Sequence, residues 1–157
     1  MSLTVKAYAK INLFLDITGR LPNGYHMLNT VMQQIDLYDN VCVSQTDGEI
    51  TVACNNPDIP CGEKNIAYRA AAAFFAETGI RGGAEINIEK NIPLEAGLGG
   101  SSTDGAAVLT ALNKLCGEPL NVEQLCVVGA SLGADVPFCL TGGTAVCGGT
   151  GERIRPI

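Results

Sequence analysis

Pro93-Leu94-Glu95-Ala96-Gly97-Leu98-Gly99-Gly100-Ser101-Ser102-Thr103-Asp104 is the stretch on which the reading of this 157-residue chain turns. Just before it, Glu85-Ile86-Asn87-Ile88-Glu89 alternates with the period of a half-buried strand. After it, a helix is predicted from about Ser102 to Cys116, with Gly117 past its end and Pro119 beyond. Three glycines within four positions let the backbone turn tightly and approach a ligand with no Cβ in the way. The hydroxyls of Ser101, Ser102 and Thr103 and the first amides of the helix are expected to point into that turn. A helix start carries unpaired N–H groups and about half a positive charge, which suits a phosphate. The same pattern also serves as a capped helix entry whose glycines answer only to packing. No Gly-Lys-Ser/Thr closes the loop, so it is not a Walker A motif. Ser102 stands where a dinucleotide fingerprint needs its third glycine. A phosphate bound here is bound in some other architecture.

Working outward, the odd positions from Val5 to Leu15 are apolar and the even ones lean polar, which predicts a strand with Lys10 and Asn12 on one face. Gly19-Arg20-Leu21-Pro22-Asn23-Gly24 supplies a turn. Extended stretches follow at 31–43 and 49–54, around a turn at Thr46-Asp47-Gly48. The alanine-rich segment from Asn65 to Thr78 reads as a helix capped by Asn65 and stopped by Gly79. Asn121-Val122-Glu123-Gln124 resembles a capping box and opens a helix ending near Gly133. Phe138–Leu140 and Thr144–Cys147 read as short strands around Gly142-Gly143. Val136, ahead of Pro137, is expected to be extended. Strands and helices mix without strict alternation, so the fold class is α+β. The chain stops at Arg155-Pro156-Ile157 straight after a strand, which is expected of a cut at a domain boundary; the whole of 1–157 is read as one domain.

Composition narrows the function. Hydrophobic residues make up 46% and charged residues 17%, enough for a packed core. The formal charge of −6 argues against a nucleic-acid or membrane-surface binder but not against an anionic ligand held by backbone amides. No membrane span or signal peptide is apparent, so the expected compartment is cytoplasmic. The seven cysteines form no Cys-x-x-Cys and have one histidine for company, so they read as buried thiols rather than a disulfide or zinc frame.

Taken singly, the other polar residues say little. A lysine on a strand usually faces solvent, His26 alone more often caps or packs, and Asp135 fits an Asx turn as well as a base. Taken together they resemble a known family. Lys6-Ala7-Tyr8-Ala9-Lys10-Ile11-Asn12-Leu13-Phe14-Leu15, then Gly19 to His26, then Gln34-Ile35-Asp36-Leu37-Tyr38-Asp39, the glycine-rich turn and Leu132-Gly133-Ala134-Asp135-Val136-Pro137-Phe138 are similar to the sequence blocks of the GHMP kinases. The opening block is similar to that of the members acting on a cytidine-diphosphate-linked methylerythritol. The resemblance implies an N-terminal domain like domain 2 of ribosomal protein S5, and ATP-dependent phosphorylation of that small molecule at its 2-hydroxyl, with Mg²⁺, in non-mevalonate isoprenoid synthesis. It implies Lys10 and Asp135 as the catalytic pair. Leu94, Glu95, Ala96, Gly97, Leu98, Gly99, Gly100, Ser101, Ser102, Thr103 and Asp104 would wrap the ATP phosphates, and Asn65 would face the adenine. Asn12, Tyr25 and His26 would contact the substrate, Tyr25 stacking on the cytosine and His26 bonding its edge. No metal ligand is identified, and no nucleic-acid or membrane partner is implied. Ser101, Thr103 and Gly105 depart from the commoner Gly-Leu-Gly-Gly-Gly-Ser-Ser-Asp-Ala by replacing a Gly, a Ser and an Ala.

Overall fold

The computed structural model describes all 157 residues as a mostly antiparallel sheet with its helices laid on one face. Two long strands, β1 (Ser2–Arg20) and β2 (His26–Thr46), form a hairpin through the turn at 21–25. The strand read from Val5 to Leu15 therefore extends further in both directions. Bulges between Tyr8 and Lys10, Asn12 and Phe14, and Ile17 and Gly19 shift its register against β2. β2 is long enough to carry two partners on its other edge. Asn40–Thr46 pairs with β4 (Gly83–Glu89), and Leu28–Gln33 with β5 (Thr144–Gly149). β3 (Thr51–Cys54) lies parallel to β4, the crossover being the helix α1 (Ile66–Thr78), and β6 (Arg153–Pro156) closes the other edge against β5.

The helices begin where their caps dictate. Asn65 Oδ1 accepts from the Ala67 N–H at the start of α1, and Gly79, in the left-handed region at φ 70°, ends it. Asn121 and Gln124 form the reciprocal capping box that opens α3 (Val122–Leu132). One core joins Ala7, Val41, Val43, Ile86 and Ile88 of the sheet to Ala67, Ala70, Ala71 and Phe74 of α1 and to Ala106, Ala107, Val108, Leu109, Ala111 and Leu112 of α2 (Gly100–Leu115). Alanines on both helices bring their axes close. At Gly105 a Cβ would meet Ile66 Cγ1 at 3.0 Å, which accounts for glycine where the family loop more often has alanine.

Two expectations fail. Phe138–Leu140 is not a strand but part of the short helix α4 (Val136–Thr141), and Val136 is its first residue rather than extended. A three-residue apolar run has no period of its own. Pro137 sits in the first turn, where its missing N–H leaves no intrahelical bond unmade, and Val136 and Phe138 are buried under α2 and α3. The cysteines are all free, as expected of thiols rather than a disulfide frame; Cys147 is fully buried, five are partly buried and Cys61 is exposed. No helix is long and apolar enough to cross a membrane.

Candidate active site

α2 starts at Gly100, two residues earlier than its pattern suggests, and this sets the chemistry of the turn before it. Its N-cap is Gly99, at φ 70°, which offers no side-chain oxygen. The Thr103 N–H already bonds the Gly99 carbonyl at 2.9 Å, so the amides of Gly100, Ser101 and Ser102 are left with no partner inside the helix. Positive φ recurs at every second residue ahead of them, at Glu95 (54°), Gly97 (73°) and Gly99 (70°). Alternating hands of this kind turn successive N–H groups to one side and make a concavity for an anion. Glycine suits position 99 on a second count: a Cβ there would sit 3.1 Å from Lys10 Cγ, closer than ordinary contact, and would press on the lysine stem.

The turn walls a cavity of about 440 Å³. Leu94 through Ser102 line it without a gap, joined by Asp104, Asp135, Lys90 and, from the start of α1, Asn65. Of the residues expected to wrap a phosphate, Thr103 is the exception. It is buried and does not line the cavity, because the helix begins early and turns position 103 back into the core. The Thr103 hydroxyl is therefore not in the turn, whereas Ser101 and Ser102 remain accessible. Asn65 spends both ends of its amide inside the protein, Oδ1 on the Ala67 N–H and Nδ2 on the Pro60 carbonyl at 2.9 Å.

Lys10 and Asp135, 125 positions apart, meet at the edge of this cavity: Nζ to Oδ2 is 3.4 Å. Lys10 is buried, although its position on the polar-leaning face of β1 suggested solvent. Its backbone N–H bonds the Leu98 carbonyl at 2.9 Å, tying β1 to the turn. The ammonium donates to Asn12 Oδ1 at 2.9 Å, and Asn12 Nδ2 donates in turn to Thr30 Oγ1 at 2.7 Å. Thr30, fully buried, donates to the Phe14 carbonyl. Asn12 thus holds the lysine, and Thr30, which sequence reasoning missed, holds Asn12. Asp135 caps α4 by position only; its side chain makes no cap bond and stays about a third exposed.

A second buried cluster, also missed, lies under the turn. Lys90 Nζ contacts Asp39 Oδ2 at 2.5 Å and Asp104 Oδ2 at 3.0 Å, all three side chains nearly sealed from solvent. Asp39 Oδ1 also accepts from the N–H groups of Asn91 (2.6 Å) and Ile92 (2.8 Å), fixing the chain as it leaves β4. Burial, then the neighbouring Asp39, push the Asp104 carboxyl up to about 8. Asp39, despite its own burial, is held below the usual range by its hydrogen bonds. Burial pushes the nearby Cys139 thiol up to about 12, so it stays protonated and unreactive.

Tyr25 and His26 are not brought to the cavity. They stand exposed at the tip of the β1–β2 hairpin, where only the backbone of Tyr25 is held: its N–H donates to Asn23 Oδ1 and its carbonyl accepts from the Leu21 N–H at 2.7 Å. Lys10 pairs with Gln34 on β2, so eight residues of strand, roughly 25 Å at about 3.3 Å each, separate the ion pair from His26.

The fold and the glycine-rich helix start, with the ammonium and carboxylate beside its hollow, have counterparts in one family of known proteins. Residues 65–143, half of the chain, match the family described as GHMP kinases N terminal domain, and the chain belongs to that family. It is 49% identical over 155 residues to the 4-diphosphocytidyl-2-C-methyl-D-erythritol kinase of Clostridium botulinum (strain Alaska E43 / Type E3), and 51% identical to that of Clostridium tetani (strain Massachusetts / E88). In both comparisons 99% of this chain is covered, and the chain spans 55% of the relative's length. A crystal structure of 4-(cytidine 5'-diphospho)-2C-methyl-D-erythritol kinase, 39% identical, superposes with a TM-score of 0.81 over 99% of this chain and 55% of that one. The Methanococcus jannaschii mevalonate kinase, 17% identical, shares the fold at a TM-score of 0.76, over 100% of this chain and 56% of that one.

Proposed function

We propose that this chain, as one domain over 1–157, is the nucleotide-binding part of a small-molecule kinase. The enzyme transfers a phosphoryl group from ATP to the 2-hydroxyl of 4-diphosphocytidyl-2-C-methyl-D-erythritol, a step of non-mevalonate isoprenoid synthesis. The names of the relatives support the substrate. The observation that carries the reading is the meeting of Lys10 and Asp135 at the mouth of the amide-lined hollow. Phosphoryl transfer asks little covalent work of a protein; alignment and charge stabilisation supply most of the rate.

In this reading the amides of Gly100, Ser101 and Ser102 and the two serine hydroxyls hold the ATP phosphates. The stretch from Leu94 to Gly99 wraps them, and the chain at Asn65 borders the adenine. Asp135 accepts the proton of the attacking hydroxyl. Lys10, steadied by Asn12, offsets the charge that develops on the transferring group. No group of three His, Cys, Asp or Glu side chains is gathered to cage a metal. Mg²⁺ fits nonetheless, since this ion keeps several waters and leans on substrate phosphates with one or two carboxylates. It would arrive with the nucleotide and neutralise phosphate charge. The substrate's cytidine end reaches along the hairpin toward Tyr25 and His26, with Tyr25 stacking on the base and His26 bonding its edge.

The test is Asp135→Asn in the full chain, assayed with ATP and the cytidine-diphosphate substrate. Turnover is expected to fall by about 10²–10⁴, the usual worth of a general base, with ATP affinity unchanged. Undiminished turnover would remove Asp135 from the mechanism.

A further inference from the structure

Beneath the phosphate turn, one ammonium serves two carboxyl groups. Lys90 lies at the exit of β4, Asp39 in β2 and Asp104 in the second turn of α2, so the cluster joins three elements directly under the hollow. It is close to the ligand side: a Cβ on Gly100 would stand 3.1 Å from Lys90 Nζ, and both Lys90 and Asp104 line the cavity. Asp104 is only 4% exposed, and its Oδ1 has no hydrogen-bond partner. With both acids ionised the cluster would hold a net negative charge in a sealed space, against the very site that is to receive a triphosphate; one proton makes it neutral. Asp39 already has three donors, so the proton belongs on Asp104.

We propose that Asp104 is a positioning residue of the nucleotide site: with Asp39 it shares one ammonium and one proton, and the turn above binds phosphate tightly only while that proton is in place. The inference rests on the kinase reading above and adds to it a residue and a proton that the transfer itself does not use. The other titratable groups around the cluster do not compete for this role. Lys10 and Asp135 are paired with each other, Cys139 stays a neutral thiol, and Lys64 and Glu95 line the cavity as one further cation and one further anion. The opposing acid and the triphosphate both favour protonated Asp104, and loss of the proton places a carboxylate beside the phosphates. The sign is therefore fixed: ATP affinity falls as pH rises through about 8.

Titrating the full chain with ATP alone, at pH 7.5 and pH 9, tests this by calorimetry. By linkage the dissociation constant of the wild type should rise by up to about tenfold between the two. In Asp104→Asn, which keeps the shape and a donor but has no proton to lose, it should stay level. Equal pH dependence in both proteins, or a flat wild type, overturns the inference. A second measurement needs no variant: followed by carboxyl carbon NMR in the wild type, Asp104 should titrate at higher pH with ATP bound than without. An unmoved titration also overturns it. A wild type that binds no ATP at pH 7.5 would instead refute the kinase reading itself, so the two failures are distinct.

Discussion

The two ends of the β1–β2 hairpin share their strands and little else. Around Lys10 every polar group is held. The ammonium has Asn12 and Asp135, Asn12 has Thr30, Thr30 has the Phe14 carbonyl, and the backbone of Lys10 bonds the glycine turn. Beyond Asn12 the side chains lose their cover: Leu13, Phe14, Leu15, Ile17 and Tyr25 are each more than half exposed. One end is arranged before any ligand arrives, the other offers apolar and aromatic surface with nothing on it. In the proposed reading, the arranged end is the phosphoryl end and the open one the base end. Preorganisation of the first is what phosphoryl transfer requires, because charge stabilisation is useful only where the donors are already fixed.

A matched pair of glycines can break the contrast. Both Gly99 and Gly24 have positive φ, but a Cβ at 99 meets Lys10 whereas one at 24 meets nothing within 4 Å. Gly99→Val combines backbone strain of about 1–3 kcal/mol with displacement of Lys10. It should weaken ATP binding about tenfold or more, read by titration on protein shown folded by its thermal transition. Next in size is Tyr25→Ala. Loss of a base stack worth about 1–3 kcal/mol should raise KM for the cytidine-diphosphate substrate about tenfold, with ATP binding unaltered. An unchanged KM would remove the base from the hairpin tip. Smallest is Gly24→Ala, which should cost about 1 kcal/mol of stability in denaturant unfolding and leave ATP affinity alone. If it weakened ATP binding as much as Gly99→Val does, the two ends would not be separate regions.

Local chemistry was readable from the residues. Asn65, Gly79 and the Asn121–Gln124 box mark helix ends because caps are short-range bonds between near neighbours. The strand periods of β1 and β4 are likewise local. Phe138–Leu140 failed because three apolar residues fit either period, and burial beneath two helices decided the matter. The candidate site was legible in unequal parts. The glycine turn declared itself, but the meeting of Lys10 with Asp135 came only through family resemblance, since nothing in a chain records contact between residues so far apart. Lys90 with Asp39, 51 positions apart, carried no such aid. Asp39 stands between Tyr38 and Asn40, and Lys90 between Glu89 and Asn91, so nothing local marks either residue as buried. Thr103 was misplaced by two residues of error in the start of α2.

The central claim, that main-chain amides at the head of α2 grip the triphosphate, can be read directly from amide NMR of the full chain titrated with a non-hydrolysable ATP analogue. The largest shifts should fall on the N–H signals of Gly100, Ser101 and Ser102, with Tyr25 and His26 unmoved. Saturating binding that leaves those three amides where they were would contradict it.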